Sequence, residues 1–148
     1  MEAIAAPTND RELSAVLHAR GQRVTPQRLV IHRALRELDR HVTADEVLAA
    51  VAHRLPNVSL PTVYSALELF EELGVVRRIG VAQGAVFYDP RPEPHDHTVC
   101  DRCGLIEDLD AGVTLDGALE RARRGGFRAA RAEVRVNGLC RDCARAQA

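Results

Sequence analysis

The four cysteines of this chain fall in two Cys-x-x-Cys pairs, Cys100-Asp-Arg-Cys103 and Cys140-Arg-Asp-Cys143. Each short turn can bring two sulfurs to one ion at about 2.3 Å, and two such turns complete a tetrahedral zinc site. The 37 residues from Cys103 to Cys140 would then be closed into a loop, tying the start of a C-terminal segment to its end. Such closure supplies folding free energy to a segment too small for a large core of its own. Redox-active dithiol chemistry is an alternative use of the same residues. It needs one Cys-x-x-Cys on a βαβ frame, which the surrounding pattern does not show. A zinc-ribbon module is another, but it leaves the upstream half unexplained.

That upstream half reads as helices. Leu13, Val16 and Leu17 make a short amphipathic turn over 10–20, stopped by Gly21. Thr25-Pro26 opens a second helix with Ile31, Ala34, Leu35 and Leu38 at helical spacing. Thr43-Ala-Asp-Glu46 is a capping box before a third, carrying Val47, Leu48, Val51 and Leu55. Ser59 caps a fourth, with Val63, Leu67, Phe70 and Leu73 inward, ending at Gly74. The period then changes, and 75–79 and 85–88 read as two strands around a Gly-containing turn over 80–84. Helices followed by a hairpin are the order of a winged helix-turn-helix, with the fourth helix as recognition helix.

Pro90-Arg-Pro-Glu-Pro94 is a stiff break and the clearest boundary. The expected layout is a winged-helix domain over 1–90, a hinge over 91–94 and a small α/β domain over 95–148, an α+β chain overall. The second domain should hold a strand into Cys100, another near 105–109, a helix over 114–124 and an alternating strand over 128–137. Its core is thin, so it needs a staple or a partner.

Composition narrows the classes. Hydrophobic residues are 46% and charged residues 28%, which marks a globular chain rather than a disordered one. No apolar run approaches a membrane span, and the N-terminal MEAIAAPTNDRE lacks a signal's basic start and apolar stretch. A cytoplasmic protein without membrane contact is expected. The net charge of −1 does not suggest a nucleic-acid partner, but local distribution matters more than the sum. All 20 basic residues are Arg, a bias that a GC-rich genome explains.

His95-Asp96-His97 precedes the first cysteine pair. In an extended segment the two imidazoles share one face, with Asp96 on the other, and form half of a metal site. Asp89, Asp108 and His41 are candidates for the remainder. Imidazole with carboxylate suits Fe(II), Mn(II) or Zn(II), and the oxygen donors favour the harder ions. His18, His32 and His53 read as ordinary surface residues of helices.

Taken together, Arg23-Val-Thr-Pro-Gln-Arg28, Pro61-Thr-Val-Tyr64, His95-Asp-His-Thr-Val-Cys-Asp-Arg-Cys-Gly104 and Gly138-Leu-Cys-Arg-Asp-Cys143 resemble the ferric uptake regulator (Fur) family in order and spacing, over about residues 10–145. The resemblance implies a winged-helix domain, a hinge and a dimerisation domain stapled by zinc on Cys100, Cys103, Cys140 and Cys143. It implies a regulatory metal site of His41, Asp89, His95, His97 and Asp108, in the arrangement of the peroxide-sensing branch. There Fe(II) or Mn(II) fills the site, and iron with peroxide oxidises a ligand histidine, here His41 or His95. Members with an additional site carry His where this chain has Pro94 and Ala132, which argues against that site. The residue after the recognition-helix tyrosine is commonly Arg; here it is Ser65.

The expected function is a metal-dependent, DNA-binding repressor of iron or oxidative-stress genes. It would act as a homodimer on an A/T-rich inverted repeat of double-stranded DNA, with no small organic substrate. Candidate DNA contacts are Arg23, Arg28, Thr62, Tyr64 and Ser65, with Arg77 and Arg78 of the wing as phosphate candidates. A zinc- or nickel-responsive regulator of the same family is the near alternative. A thiol-dependent redox enzyme is the alternative from another class.

Overall fold

The computed structural model describes residues 5–80, 84 and 86–147. The chain divides into two compact units, Met1–Pro92 and Glu93–Ala148. Among the described residues no helix is long and apolar enough to cross a membrane.

The first unit holds helices α1 (Asp10–Ala19), α2 (Pro26–Leu38), α3 (Ala44–Val51) and α4 (Leu60–Glu72), then strands β1 (Arg77–Gly80) and β2 (Val86–Asp89). Its helix starts follow the capping signals. Asn9, Thr25, Thr43 and Ser59 each accept a hydrogen bond from the backbone N–H three residues on. At Thr43 the second half of the expected box is diverted, because Arg40 takes the Glu46 carboxylate. The inward stripes meet in one core. Leu13 and Leu17 of α1, Ile31 and Leu35 of α2, Val47 and Val51 of α3, and Val63, Leu67 and Phe70 of α4 are all fully buried. Burying each such side chain contributes about 1.5–3 kcal/mol. Val16, Leu38, Leu48, Leu55 and Leu73 pack half-buried around its edge.

One expectation fails in α2. His32 is 2% exposed, not a surface residue. It follows Ile31 and lies one turn before Leu35, so it falls inside a stripe widened by α1 and α4 on either side. Its ring meets Phe70 edge-on, with centroids 6.0 Å apart. His18 and His53 are exposed as expected.

The hairpin pairs β1 with β2 antiparallel, Arg77 opposite Asp89 and Ile79 opposite Phe87. Gly84 has a φ of 76°, a left-handed conformation that suits glycine. Gly80 closes β1, while residues 81–83 of the expected turn, and Ala85 of the second strand, lie outside the described residues. Arg77 is buried and Arg78 exposed. Strand alternation turns Arg77 toward the core, so of the two wing arginines only Arg78 faces solvent.

The second unit is a three-stranded sheet, ordered β4-β3-β5, with two helices. Its elements are β3 (Asp96–Cys100), β4 (Ile106–Leu109), α5 (Asp116–Arg124), β5 (Arg135–Gly138) and α6 (Arg141–Arg145). The strand expected over 128–137 is shorter, because β5 joins the sheet only where it runs parallel to β3, His97 beside Arg135 and Cys100 beside Gly138. Before it, the Asp96 carboxylate accepts the Val134 N–H at 2.7 Å, and the Val134 carbonyl accepts the His97 N–H. The buried apolar residues here are Val99, Cys100 and Ile106 alone among the described residues. Leu105, Val113, Phe127, Val136 and Leu139 are exposed.

Candidate metal centres and nucleic-acid face

The cysteine centre is built by the parallel pair β3 and β5. Cys100 closes β3, and Cys140 lies two residues past the end of β5, so both Cys-x-x-Cys turns leave the same end of adjacent strands. The Asp101 N–H donates to the Gly138 carbonyl at 2.7 Å and locks the two turns together. Gly104, at φ 76°, lets the first turn fold back, with its N–H on the Cys100 carbonyl. The four sulfurs lie within 4.8 Å of one another. Cys103 Sγ and Cys140 Sγ are 3.7 Å apart, against about 3.8 Å for sulfurs on a tetrahedral zinc ion at 2.3 Å. Backbone N–H groups of Cys103 and Cys140 hold the Cys100 thiol down to about 6. The Cys140 thiol, burial and the remaining sulfurs push Cys143 up to about 12. Four thiolates this close repel one another, and a divalent cation among them cancels that repulsion. The residues therefore fit zinc.

In the first unit an isolated bridge sets up a second donor pair. Val42 and Tyr88 exchange both backbone hydrogen bonds, at 3.0 and 2.7 Å. Antiparallel pairing then puts His41 across from Asp89. The His41 Nε2 lies 3.0 Å from Asp89 Oδ2, and Asp89 is fully buried. The other carboxylate oxygen accepts the Arg91 N–H at 2.8 Å, which fixes the carboxylate plane.

In the second unit the β3–β4 register places His97 directly opposite Asp108. The Asp108 carboxylate lies 3.1 Å from His95 Nε2 and 3.7 Å from His97 Nε2. The two imidazoles are 4.3 Å apart, centroid to centroid. The Nδ1 of His95 is 2.7 Å from the Glu93 carbonyl, an acceptor only, so Nδ1 carries a proton and Nε2 is the nitrogen turned toward Asp108. Asp96 points the other way and orders Val134, as an extended segment requires. Each group offers imidazole nitrogen and carboxylate oxygen, the donor set of a first-row divalent ion.

The candidate DNA residues all belong to the first unit. On α4, Thr62, Tyr64 and Ser65 are exposed while Val63, Ala66 and Leu67 are buried; Tyr64 is 39% exposed. Arg23 is exposed in the connection before α2. Arg28, in the first turn of α2, folds back so that its guanidinium donates to the Arg23 carbonyl. Sequence reasoning missed the supporting contacts: the Val42–Tyr88 bridge, the Glu93 carbonyl and Arg77 across from Asp89. Backbone contacts of this kind leave no mark in residue type.

Comparison with known proteins adds an independent line. Residues 19–137 match the ferric uptake regulator family. The peroxide-responsive repressor PerR of Staphylococcus epidermidis is 32% identical over 138 residues, covering 90% of this chain and 91% of that protein. The peroxide stress regulator of Campylobacter jejuni superposes with a TM-score of 0.64 at 33% identity, covering 80% of this chain and 89% of that one. A zinc uptake regulator complexed with zinc and DNA superposes with a TM-score of 0.63 at 26% identity, covering 95% and 99%. The chain belongs to the ferric uptake regulator family and is a metal-responsive, DNA-binding transcriptional regulator rather than an enzyme.

Proposed function

We propose that this regulator is a cytoplasmic, dimeric repressor that responds to Fe(II) or Mn(II) and senses peroxide. The observation that carries the reading is the donor chemistry: all four cysteines gather in one cluster, leaving imidazole and carboxylate for the regulatory ion. Cys100, Cys103, Cys140 and Cys143 hold structural zinc. His41 and Asp89 of the first unit and His95, His97 and Asp108 of the second hold one regulatory ion jointly. Such a shared ion fixes the two units at one separation. Dimeric helix-turn-helix proteins need their recognition helices spaced for successive major-groove segments, here on an A/T-rich inverted repeat. Driving a two-state equilibrium from mostly open to mostly closed takes about 5.5 kcal/mol of differential binding. Iron held by these residues would supply one-electron reduction of peroxide, with His41 or His95 as the ligand exposed to oxidation, and loss of a ligand would remove that differential. The exposed Leu105, Val136 and Leu139 of the second unit supply apolar area for a dimer.

Tyr64 and Ser65 read bases, Arg23 enters a narrow minor groove, and Arg28 and Thr62 contact phosphate. The test is binding of zinc-loaded protein to its own promoter, titrated anaerobically with Fe(II) or Mn(II) and then treated with peroxide. Binding with both metals, abolished by peroxide only in the iron form, is the expected result. Indifference to peroxide makes the protein a metal-level regulator. Activation by Zn(II) or Ni(II) alone moves it to the zinc- or nickel-responsive relatives. Indifference to every metal overturns the regulatory site.

A further inference from the structure

A cleft of about 190 Å³ in the first unit is lined by Gln27, Leu55, Pro56, Asn57, Val58 and Thr62. It opens where the first turn of α2, the α3–α4 connection and the first turn of α4 converge. Leu55 and Val58 pack half-buried against the helical core and make its floor. The Val58 N–H donates to the Leu55 carbonyl at 3.0 Å, so the turn carrying Pro56 and Asn57 is fixed. Thr25 caps α2 and fixes the turn that carries Gln27. Gln27 and Asn57 are exposed, and their side-chain amides hydrogen-bond to no described residue. Thr62 Oγ1 lies 3.0 Å from Ser59 Oγ, which leaves it further hydrogen-bonding capacity toward the cleft.

Two amides and a hydroxyl on a stiff apolar floor, with no carboxylate in the lining, are neutral donors held ready for an anion. Neutral side chains of these types contribute regularly to phosphate contacts on duplex DNA. In a helix-turn-helix the recognition helix enters the groove by its N-terminal turn while the flanking elements lie on the backbone, and the cleft is on that flank of α4. We infer that this cleft seats one phosphate of the bound DNA, with the Gln27 and Asn57 amides donating to its oxygens. The inference rests on α4 being the helix that enters the groove.

The test is equilibrium binding of the full-length, zinc-loaded, Mn(II)-activated protein to two duplexes, its own promoter repeat and a scrambled sequence, across a salt series. Gln27→Ala and Asn57→Ala should each weaken binding about tenfold, equally on both duplexes. The slope of log affinity against log salt should not change, because a neutral donor releases no counterion. Arg28→Ala in parallel should lower that slope by about one. Both cleft variants should melt like the wild type, since neither amide is hydrogen-bonded among the described residues. Unchanged affinity in the double variant overturns the phosphate seat, and so does a loss confined to the promoter repeat. Tyr64→Ala separates this outcome from a failure of the α4 assignment. If Tyr64→Ala weakens promoter binding and the cleft variants do not, the cleft alone is refuted. If Tyr64→Ala is silent, the α4 assignment fails and takes the phosphate seat with it.

Discussion

At His95 the Glu93 carbonyl occupies Nδ1, and only Nε2 faces Asp108. Asp108 in turn answers two imidazoles from one position across the β3–β4 ladder. Replacing it removes the anionic donor that both rings face. Asp108→Ala should lower Mn(II) affinity by at least about tenfold while the structural zinc is retained, read by calorimetry and zinc analysis. His32 makes a prediction of a different kind. Burial, then the nearby Arg36, pulls its pKa from 6.5 to about 4. The Pro7 carbonyl and the carboxylates of Asp10 and Glu12 oppose that only in part. The folded protein keeps the ring neutral, whereas the unfolded chain protonates it near pH 6.5. Stability is therefore full above that pH and is lost as pH falls toward 4, by ~3 kcal/mol at most. The difference in urea midpoint between wild type and His32→Leu isolates this group from the other histidines. An equal pH slope in both proteins would remove His32 from the account.

The helices show what a sequence can and cannot reveal. Stripes place α1 to α4, and caps the last three, because Thr and Ser oxygens, Pro in the first turn and apolar spacing are local chemistry. His32 escaped because one polar residue inside a stripe reads the same whether the neighbouring helices cover it or leave it bare. The strand over 128–137 was overextended for a related reason: alternation specifies a face, and only a neighbour specifies a strand. The candidate ligand residues stand out by type, spacing and family resemblance, whereas the bridge that brings His41 to Asp89 leaves no such mark. At this scale Phe70 links α4 to His32 and to the centre of the core. Phe70→Ala should cost about 3–5 kcal/mol in denaturant titration. Tyr64→Ala, on the opposite face, should change stability by no more than ~0.5 kcal/mol and still weaken promoter binding about tenfold.

Across the whole molecule, stability is unevenly shared. The first unit has a continuous apolar core, while the second buries Val99, Cys100 and Ile106 and leaves five large apolar side chains exposed. A strong zinc chelator, or Cys140→Ser, should abolish the ordered second unit and the dimer together and leave the helical unit folded. Circular dichroism and sedimentation would read the two effects separately. A second unit that stays folded and dimeric without zinc would show that the sheet and its partner suffice.

The parallel pairing of β3 and β5 also has a consequence in time. Cys100 and Cys103 leave the ribosome long before Cys140 and Cys143, and α5 with both its flanking connections lies between them. No antiparallel neighbour could substitute, because the two turns meet only when the later strand has been laid beside the earlier one. The ion can be captured only after the intervening chain has been synthesised and threaded correctly. A product interrupted before Cys140 carries only one of the two thiol pairs. Closure of the four-cysteine cluster is thus the last step, open only to chains made through to their second thiol pair.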